Sequence, residues 1–173
     1  FNPLFEILYP NYDFENRQAG KGPIVGTVLV RDTGKVNAYL NMPQIRSLLP
    51  SMMRNARFVW TAKPRAEGSE ALDLLAIKSN RDGIPDLGGD VIVDAAQDFD
   101  EGNTPIVRMQ MNAIGARKWQ EITREASQME PKRSVAVVLD GLVYSYPRVQ
   151  SEIAGGNTQI FGNFTIEEAQ DLA

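Results

Sequence analysis

Short apolar segments bounded by glycine, proline and charged residues recur along the whole chain, and helical periodicity occurs in only a few places between them. Alternating or β-branched segments of this length predict strands. We predict strands over these ranges: 23–30, 56–62 paired with 71–77, 91–93, 105–111, 133–139 paired with 142–146, and 157–161. Asp140 and Gly141 separate one of these pairs, and an Asp-Gly dipeptide is a strong signal for a tight hairpin turn. The chain is therefore predicted to be built around β-sheet.

Helices are predicted where a capping residue or proline precedes an apolar period. The starts and ranges are Asp32 or Thr33 before 36–40, Pro43 before a short helix ending at Leu49, Asn112 before 113–128, and the capping box Thr165–Glu168 before a final helix. On the helix over 113–128, we predict that Ile114, Trp119 and Ile122 share one face.

The order of these elements predicts an α+β fold of antiparallel sheets with helices packed on one face. Residues 79–89 are dense in turn residues and form the best internal boundary. We therefore expect two subdomains, 1–85 and 86–173. A duplicated unit is an open alternative. Residues 23–79 and residues 105–147 are each predicted to form a strand, a helix and a hairpin in that order.

The chain has no histidine and no cysteine. This composition excludes Ser-His-Asp and Cys-His nucleophiles, the usual zinc sites and thiol redox chemistry. Carboxylates, lysine, tyrosine or an oxygen-ligated cation would have to carry any catalysis. We expect no enzyme activity, no metal and no cofactor.

The formal net charge is −4, with 18 basic residues scattered among 22 acidic ones. Nucleic-acid binding is therefore not expected, because it needs concentrated positive charge. No stretch approaches about 18 consecutive apolar residues, the length of a membrane span. The start at Phe1 has no signal-peptide features, and Ala173 falls just after a predicted helix start. We expect both ends to lie within a longer protein.

Acidic residues offer two candidate sites. In the run 94–103, Asp94, Asp98, Asp100, Glu101 and Asn103 could supply oxygen ligands, but their spacing departs from that of a calcium loop, and a solvated loop is favoured. A carboxylate pair among Glu167, Glu168 and Asp171 is less favoured than a helix cap.

Gly155 and Gly156 invite comparison with a phosphate loop. They precede a strand instead of a helix, and no lysine follows, so we interpret them as turn residues and Gly162 as a bend. A separate apolar group, Leu48, Leu49, Met52 and Met53, follows or adjoins Pro50 and could form an adaptable peptide-binding surface.

The C-terminal half carries an ordered series of motifs over about 70 residues. They are Asn112-Ala-Ile-Gly-Ala-Arg-Lys-Trp119, Glu121-Ile-Thr123, Val138-Leu-Asp-Gly141, Val143-Tyr-Ser-Tyr-Pro147, Gly155-Gly156, Ile160-Phe-Gly-Asn-Phe164 and Glu168-Ala-Gln-Asp-Leu-Ala173. In order and spacing, this series resembles the signature of the SecD protein-export family. Residues 1–80 look most like the first periplasmic domain of fused SecDF proteins from Bacteroidetes-type bacteria. One departure is the run 128–133, where the family usually has a short polar turn.

This resemblance implies a ferredoxin-like base, placed at 86–173, and an attached head subdomain, placed at 1–85. It implies that the signature residues are structural: Asp140, Gly141, Ser145, Pro147, Gly155, Gly156, Gly162, Phe164 and Glu168. It also implies a domain on the periplasmic side of the bacterial inner membrane, tethered through membrane helices, with SecF and SecYEG-type subunits as partners.

The leading hypothesis is a domain that holds unfolded preprotein emerging from the translocon and aids export driven by the proton motive force. The resemblance suggests that cargo contacts lie outside the signature, at Leu48, Leu49, Met52 and Met53. Two alternatives remain: a scaffold that docks other translocon subunits, and a carboxylate- or metal-dependent hydrolase.

Overall fold

The computed structural model describes residues 3–79, 82–162 and 165. Its strands and helices, in chain order, are β1 (Tyr9–Pro10), β2 (Tyr12–Asp13), β3 (Gln18–Ala19), β4 (Ile24–Leu29), α1 (Thr33–Leu40), α2 (Pro43–Leu48), β5 (Arg57–Thr61), β6 (Ala71–Ile77), β7 (Ile92–Phe99), β8 (Pro105–Met111), α3 (Ala113–Gln128), β9 (Val137–Leu139), β10 (Leu142–Ser145) and β11 (Asn157–Ile160). Single 3₁₀ turns lie at Pro3–Glu6, Val30–Asp32, Ser51–Met53 and Gly89–Val91. The predicted α+β class is confirmed.

The chain forms two compact units. Unit 1 consists of Phe1–Ile84 and Val138–Tyr144, and unit 2 consists of Pro85–Val137 and Ser145–Ala173. The first crossing between them lies next to the boundary expected from the turn-rich segment. The later return of the chain to unit 1, for seven residues of the β9–β10 hairpin, is not predicted by any sequence signal.

Unit 1 contains a six-stranded sheet in the order β1-β4-β6-β5-β10-β9. The predicted β5–β6 hairpin is antiparallel, with Val59 opposite Leu75. The expectation of purely antiparallel sheets is wrong here, because β10 runs parallel to β5 and places Leu142 opposite Trp60. Parallel neighbours need a long crossover connection, and unit 2 lies within that connection along the chain.

One face of this sheet packs against α1. The core there consists of six buried apolar residues: Leu8, Val28, Val36, Leu40, Trp60 and Leu74. The indole of Trp60 satisfies its polar atom by donating to Asn37 Oδ1 at 3.0 Å. Pro43 begins α2 as predicted, since the fixed φ of proline suits the first helical position. The predicted side-chain cap of α1 is wrong: Asp32 occupies the cap position, but its carboxylate binds Lys35 at 2.9 Å instead of a helix amide.

A polar network lies on β6 in the same sheet. Asp73 is 4% exposed and accepts hydrogen bonds from Thr27 Oγ1 at 2.9 Å and from Arg65 Nη2 at 2.9 Å. Its backbone N–H donates to Thr61 Oγ1 at 3.1 Å. A buried carboxylate needs such partners, because burial without them is costly. The network therefore satisfies a charge inside the sheet and anchors the connection between β5 and β6 through Arg65.

Unit 2 contains an antiparallel three-stranded sheet in the order β11-β8-β7, with α3 following β8. Ile106, Val107 and Met111 on β8 are buried. Asn112 caps α3 as predicted, and its Oδ1 accepts from the amides of Ile114 and Gly115.

Two predictions within unit 2 are wrong. The strand expected at 91–93 is β7, eight residues long, so Asp94 and Asp98 belong to a strand and not to a loop. The buried positions of α3 are Gly115, Thr123 and Ala126, whereas Ile114 is 74% exposed. Ile114 follows the cap, and the first turn of the helix approaches Val91 through Gly115 instead.

Among the described residues, no helix has both the length and the apolar character needed to cross a membrane. The predicted final helix from Thr165, with Glu167, Glu168 and Asp171, lies outside the described residues, apart from Thr165 itself.

Candidate functional site

The Asp140–Gly141 turn has the backbone form that its sequence predicts. The angle φ is +50° at Asp140 and +78° at Gly141, and positive φ at both central residues is typical of a type I′ hairpin turn. Beside it on β9, Val138 and Leu139 are 44% and 40% exposed, whereas Val143 on β10 is buried. The Leu-Asp-Gly part of the motif series therefore forms the turn of an edge hairpin in unit 1.

Ser145 and Pro147 fix the chain that follows this hairpin. Ser145 is buried, and its Oγ donates a hydrogen bond to the carbonyl of Phe161 just after β11. The carbonyl of Pro147 accepts from the amide of Val135 at 3.1 Å. Each bond joins segments that are distant along the chain, so both residues hold unit 2 together and present no reactive group.

Gly155 and Gly156 form the turn that leads into β11. Their φ angles are +85° and +74°, a region that side chains rarely adopt. Gly156 also lies against α3: a Cβ added there would be 2.7 Å from the Cβ of Ala116, whereas one added at Gly155 would meet nothing within 4 Å. The carbonyl of Gly156 accepts from the amide of Met111 at 2.9 Å. The pair therefore lies at a tight turn packed on the helix.

The remaining motif positions are divided between described and undescribed residues. Gly162 lies at a bend after β11, as expected. Phe164 and Glu168 lie outside the described residues. Thr123, from the Glu-Ile-Thr motif, is fully buried; its Oγ1 donates to the carbonyl of Trp119 at 2.8 Å and accepts from the amide of Ile153 at 3.0 Å. Thr123 belongs to the sequence motif, but the motif does not predict its hydrogen bond to the amide of Ile153, in the segment before Gly155.

The acidic run does not form the cation site considered from the sequence. Asp98 pairs with Arg108 at 3.1 Å across the β7–β8 ladder. The Oδ1 atom of Asp100 accepts from the amides of Gly102 and Thr104, at 2.9 and 2.8 Å, which closes the turn between the strands. Glu101 and Asn103 are exposed in that turn, and Asn103 has a positive φ of +61°. In residues 3–79, 82–162 and 165, no three acidic side chains are grouped so as to hold a metal ion.

Among the residues that the structure describes, two carboxyls have a clearly lowered pKa, and both lie in unit 1. Hydrogen bonds from the side chain and amide of Asn16 hold the pKa of Asp13 below its usual 3.8. The side chain of Lys35 does the same for the pKa of Asp32. Every partner that lowers the pKa of Asp32, and the main ones at Asp13, lie within a few residues in sequence, so these shifts reflect local geometry.

The predicted apolar surface lies at the end of α2 and the turn after it. Leu48 is 78% exposed, whereas Leu49 and Met53 are half-buried, and the side chain of Met52 is not described. Arg46 anchors this corner, since its guanidinium donates to the carbonyl of Ala56 at 2.8 Å and lies 5.4 Å from the centroid of the Phe58 ring. The structure thus brings Leu48 to the surface on a fixed helix end, with Leu49 and Met53 contributing smaller exposed areas.

Comparison with known proteins gives one family. The model of the SecDF P1 head subdomain matches residues 76–173. The protein translocase subunit SecD of Rhodothermus marinus is 36% identical over 171 residues, covering 99% of this chain and 25% of that protein. SecD of Magnetococcus marinus is 43% identical over 106 residues, covering 61% of this chain and 18% of that protein. A solved structure of SecDF, a membrane component that enhances protein export, shares 35% identity over 50% of this chain and 38% of its own, with a TM-score of 0.44.

The chain thus spans a quarter or less of the length of these two SecD relatives. The head-subdomain match covers residues 76–173, and residues 86–173 are those that the resemblance assigned to the base. The family is one of translocase subunits and not of enzymes, as predicted. The motif series and these matches agree: the chain belongs to the SecD family, and it corresponds to the first periplasmic domain of the SecD and SecDF proteins.

Proposed function

We propose that this chain is a periplasmic, polypeptide-holding part of a membrane-tethered Sec accessory subunit that assists protein export. The observation that carries the proposal is the family match, which extends over nearly the whole chain in one relative. The relatives are named as protein translocase subunits, and one solved relative is described as enhancing protein export. Substrate and partners in this proposal are an unfolded preprotein, SecF and SecYEG-type subunits.

Exposed apolar side chains support holding of an unfolded chain. Leu48 is 78% exposed and Met42 is 41% exposed, at the two ends of α2. Unfolded polypeptides expose apolar side chains that folded proteins bury, and burying such a side chain against Leu48 removes apolar surface of both from water. We therefore propose Leu48 as the principal contact of this surface, with Leu49, Met52 and Met53 around it.

A domain that holds a polypeptide must also release it, and release requires a change to an arrangement that no longer binds the polypeptide. In the proposed mechanism, proton flow through membrane helices elsewhere in the longer protein shifts the domain between two arrangements. The present chain would supply the surface that grips the polypeptide. Its two compact units offer parts that such a change could move.

Site-specific photo-crosslinking in the full-length subunit tests this proposal. A photoreactive residue at Leu48 is expected to crosslink to a stalled, half-exported preprotein in several-fold higher yield than one at Glu67, an exposed polar position of the same unit. Crosslinks that reach only other translocon subunits would support a scaffold role instead. Equal yields at both positions would contradict a specific holding surface there.

A further inference from the structure

All charged side chains of residues 33–66, in unit 1, are positive. This segment contains six lysine and arginine residues and no aspartate or glutamate, although the whole chain has a formal net charge of −4. Three of the six, Arg46, Arg54 and Arg57, lie in sequence between the middle of α2 and the first residue of β5. We call residues 42–57, which contain α2 and the turn after it, the α2 corner.

Hydrogen bonds fix the shape of the α2 corner. The guanidinium of Arg46, on α2, donates to the carbonyl of Ala56 at 2.8 Å. The amide of Ala56 donates to the carbonyl of Met53 at 2.9 Å, which closes the turn that bears Arg54. Leu48 at the end of α2 and Arg54 in this turn therefore belong to one local structure, which leads directly into β5.

No carboxylate neutralises the arginines of this corner. Across residues 3–79, 82–162 and 165, no ion pair joins Arg46, Arg54 or Arg57 to an acidic side chain. Arg57 donates to the carbonyl of Gly83 at 3.4 Å, which leaves its charge in place. The parallel register of β10 brings the turn residue Asp140 toward the start of β5, but Asp140 forms no ion pair with these arginines. The corner can therefore offer its positive charge to a ligand.

One apolar side chain projects from the same corner. Leu48 is 78% exposed, and Met42, at the cap position before α2, is 41% exposed. Gln44 and Ser47 lie three or four residues before Leu48 or next to it, are also exposed, and carry no charge. An apolar side chain that packs on Leu48 thus enters a region where every fixed charge of the segment is positive.

The size of this surface favours a polypeptide over a lipid bilayer. Helices that bind membranes bury a long apolar face, and segments that bind anionic lipids carry about four to eight lysines and arginines. Here α2 is six residues long, one of its apolar side chains is more than half exposed, and three arginines accompany it. The planar fork of arginine matches a carboxylate with two hydrogen bonds. A second copy docked corner to corner would bring the same positive charges and be repelled.

We propose that the α2 corner binds segments of unfolded polypeptide in which aspartate or glutamate lies beside a large apolar side chain. The apolar side chain packs on Leu48, and the carboxylates bind Arg54 and its neighbours Arg46 and Arg57. This proposal rests on the proposed holding function and gives that function a substrate class. Surface ion pairs are individually weak, so the carboxylates select among segments, whereas the apolar contact supplies affinity that all of them share.

Fluorescence anisotropy tests the proposal, with labelled peptides and the full-length subunit in phosphatidylcholine nanodiscs. Peptides in which glutamate flanks leucine are expected to bind about tenfold more tightly than peptides with lysine in place of glutamate, the size expected for three weak surface ion pairs. Glutamine peptides should lie between the two. High salt should reduce the difference, because exposed charges are screened. Serine in place of leucine in the glutamate peptide should weaken binding several-fold.

Matched charge variants locate the preference. Arg54→Glu should remove most of the preference for glutamate peptides, whereas Lys21→Glu, an equal charge change at an exposed position of unit 1 outside the corner, should leave it unchanged. Leu48→Ser should weaken the binding of glutamate and lysine peptides alike. Equal binding of the two peptides by the unaltered subunit would overturn the proposal, as would a preference that survives Arg54→Glu.

Two other occupants have their own outcomes. In nanodiscs that contain phosphatidylglycerol, a photoreactive residue at Leu48 should not label lipid, and lipid labelling that acidic peptides fail to displace would assign the corner to the membrane instead. A dimer of the subunit that Leu48→Ser disrupts would assign the corner to self-association, and either result would overturn the proposal.

Failure of this proposal is distinguishable from failure of the proposed function. A missing preference between peptides, alongside preprotein crosslinks at Leu48, would leave the holding function intact and remove the substrate class. Selective binding of acidic peptides without any preprotein crosslink at Leu48 in the full-length subunit would instead contradict the holding function.

Discussion

Replacing Gly156 by alanine should destabilise unit 2 by about 2–5 kcal/mol. Holding an alanine at the φ of +74° found there costs about 1–2 kcal/mol, because the new Cβ crowds the backbone. The same Cβ would lie 2.7 Å from the Cβ of Ala116 and 3.3 Å from the carbonyl oxygen of Met111. Neither neighbour is the end of a flexible side chain, so the turn must move away from α3, at about 1–3 kcal/mol for overpacking of this kind.

Gly155→Ala is the matched control. Its φ of +85° imposes the same backbone penalty, but the added Cβ meets nothing within 4 Å. We expect a loss of about 1–2 kcal/mol for this variant. The difference between the two variants therefore isolates the contact with α3.

Native-state hydrogen exchange provides the assay, because it reports on each unit separately without assuming a single unfolding transition. The amide of Met111, bonded to the carbonyl of Gly156 at 2.9 Å, should lose protection by the full predicted amount. Amides of β5 in unit 1 serve as the internal reference. A second test places Gly156→Ala in an Ala116→Gly background, where the clash is removed and the two changes should not be additive.

Two results would refute this reasoning. One is an equal loss of stability for Gly156→Ala and Gly155→Ala, which would mean that α3 moves aside without a cost in free energy. The other is full additivity with Ala116→Gly, which by itself should cost about 1 kcal/mol through helix propensity.

Two further predictions concern single hydrogen-bonding groups. Thr123→Val should destabilise unit 2 by about 1–3 kcal/mol, because it leaves the amide of Ile153 without its acceptor. Thr123→Ser keeps the hydroxyl and should retain most of the stability measured by urea unfolding. Equal losses of stability for the two variants would contradict the assigned hydrogen bond. The lowered pKa of Asp13 means that the folded state favours the ionised carboxylate. Its contribution to stability is therefore present at pH values above the ordinary pKa of 3.8, and it is lost as the pH falls through the lower pKa of the folded state. Asn16→Ala should move the NMR titration of the Asp13 carboxyl upward, and an unchanged midpoint would show that Asn16 is not the cause.

Local signals in the sequence predicted the elements that depend on a few adjacent residues. Asn112 caps α3, Asp140 and Gly141 form a tight turn, and Pro43 begins a helix, because each of these outcomes is decided by the residue itself and its next few neighbours. The motif glycines at 155 and 156 were predicted for the same reason, since a positive φ favours glycine wherever it occurs.

Strand β7 could not be predicted to its full length, because its pairing partner decides it. The residues from Asp94 to Asp98 are acidic, small or, at Gln97, polar, and this composition is locally typical of a solvated loop. Their extended form is imposed by β8, where Asp98 lies opposite Ile106 and Ala95 opposite Met109. An edge strand also tolerates polar side chains that a central strand would exclude, which weakens the alternating pattern used for prediction.

The sequence could not predict which residues of the candidate surface are exposed. Leu48 is the exposed member, whereas Leu49 and Met53 turn partly inward at a corner fixed by Arg46. Which side of a short helix faces solvent depends on contacts with β5, and sequence spacing over one and a half turns is too short to define a face.

The pairing of β5 with β10 has a consequence for how the protein is made. Trp60 and its partner Leu142 are separated by about eighty residues, so this contact closes a long loop and is slow to form. During synthesis, the strands from β1 to β6 leave the ribosome well before β10 is translated. Until then, the edge of β5 that pairs with β10 is unpaired. The N-terminal sheet is therefore finished only by residues that are translated after most of unit 2. A gene fragment that ends at Ile84 would encode a sheet without its last two strands.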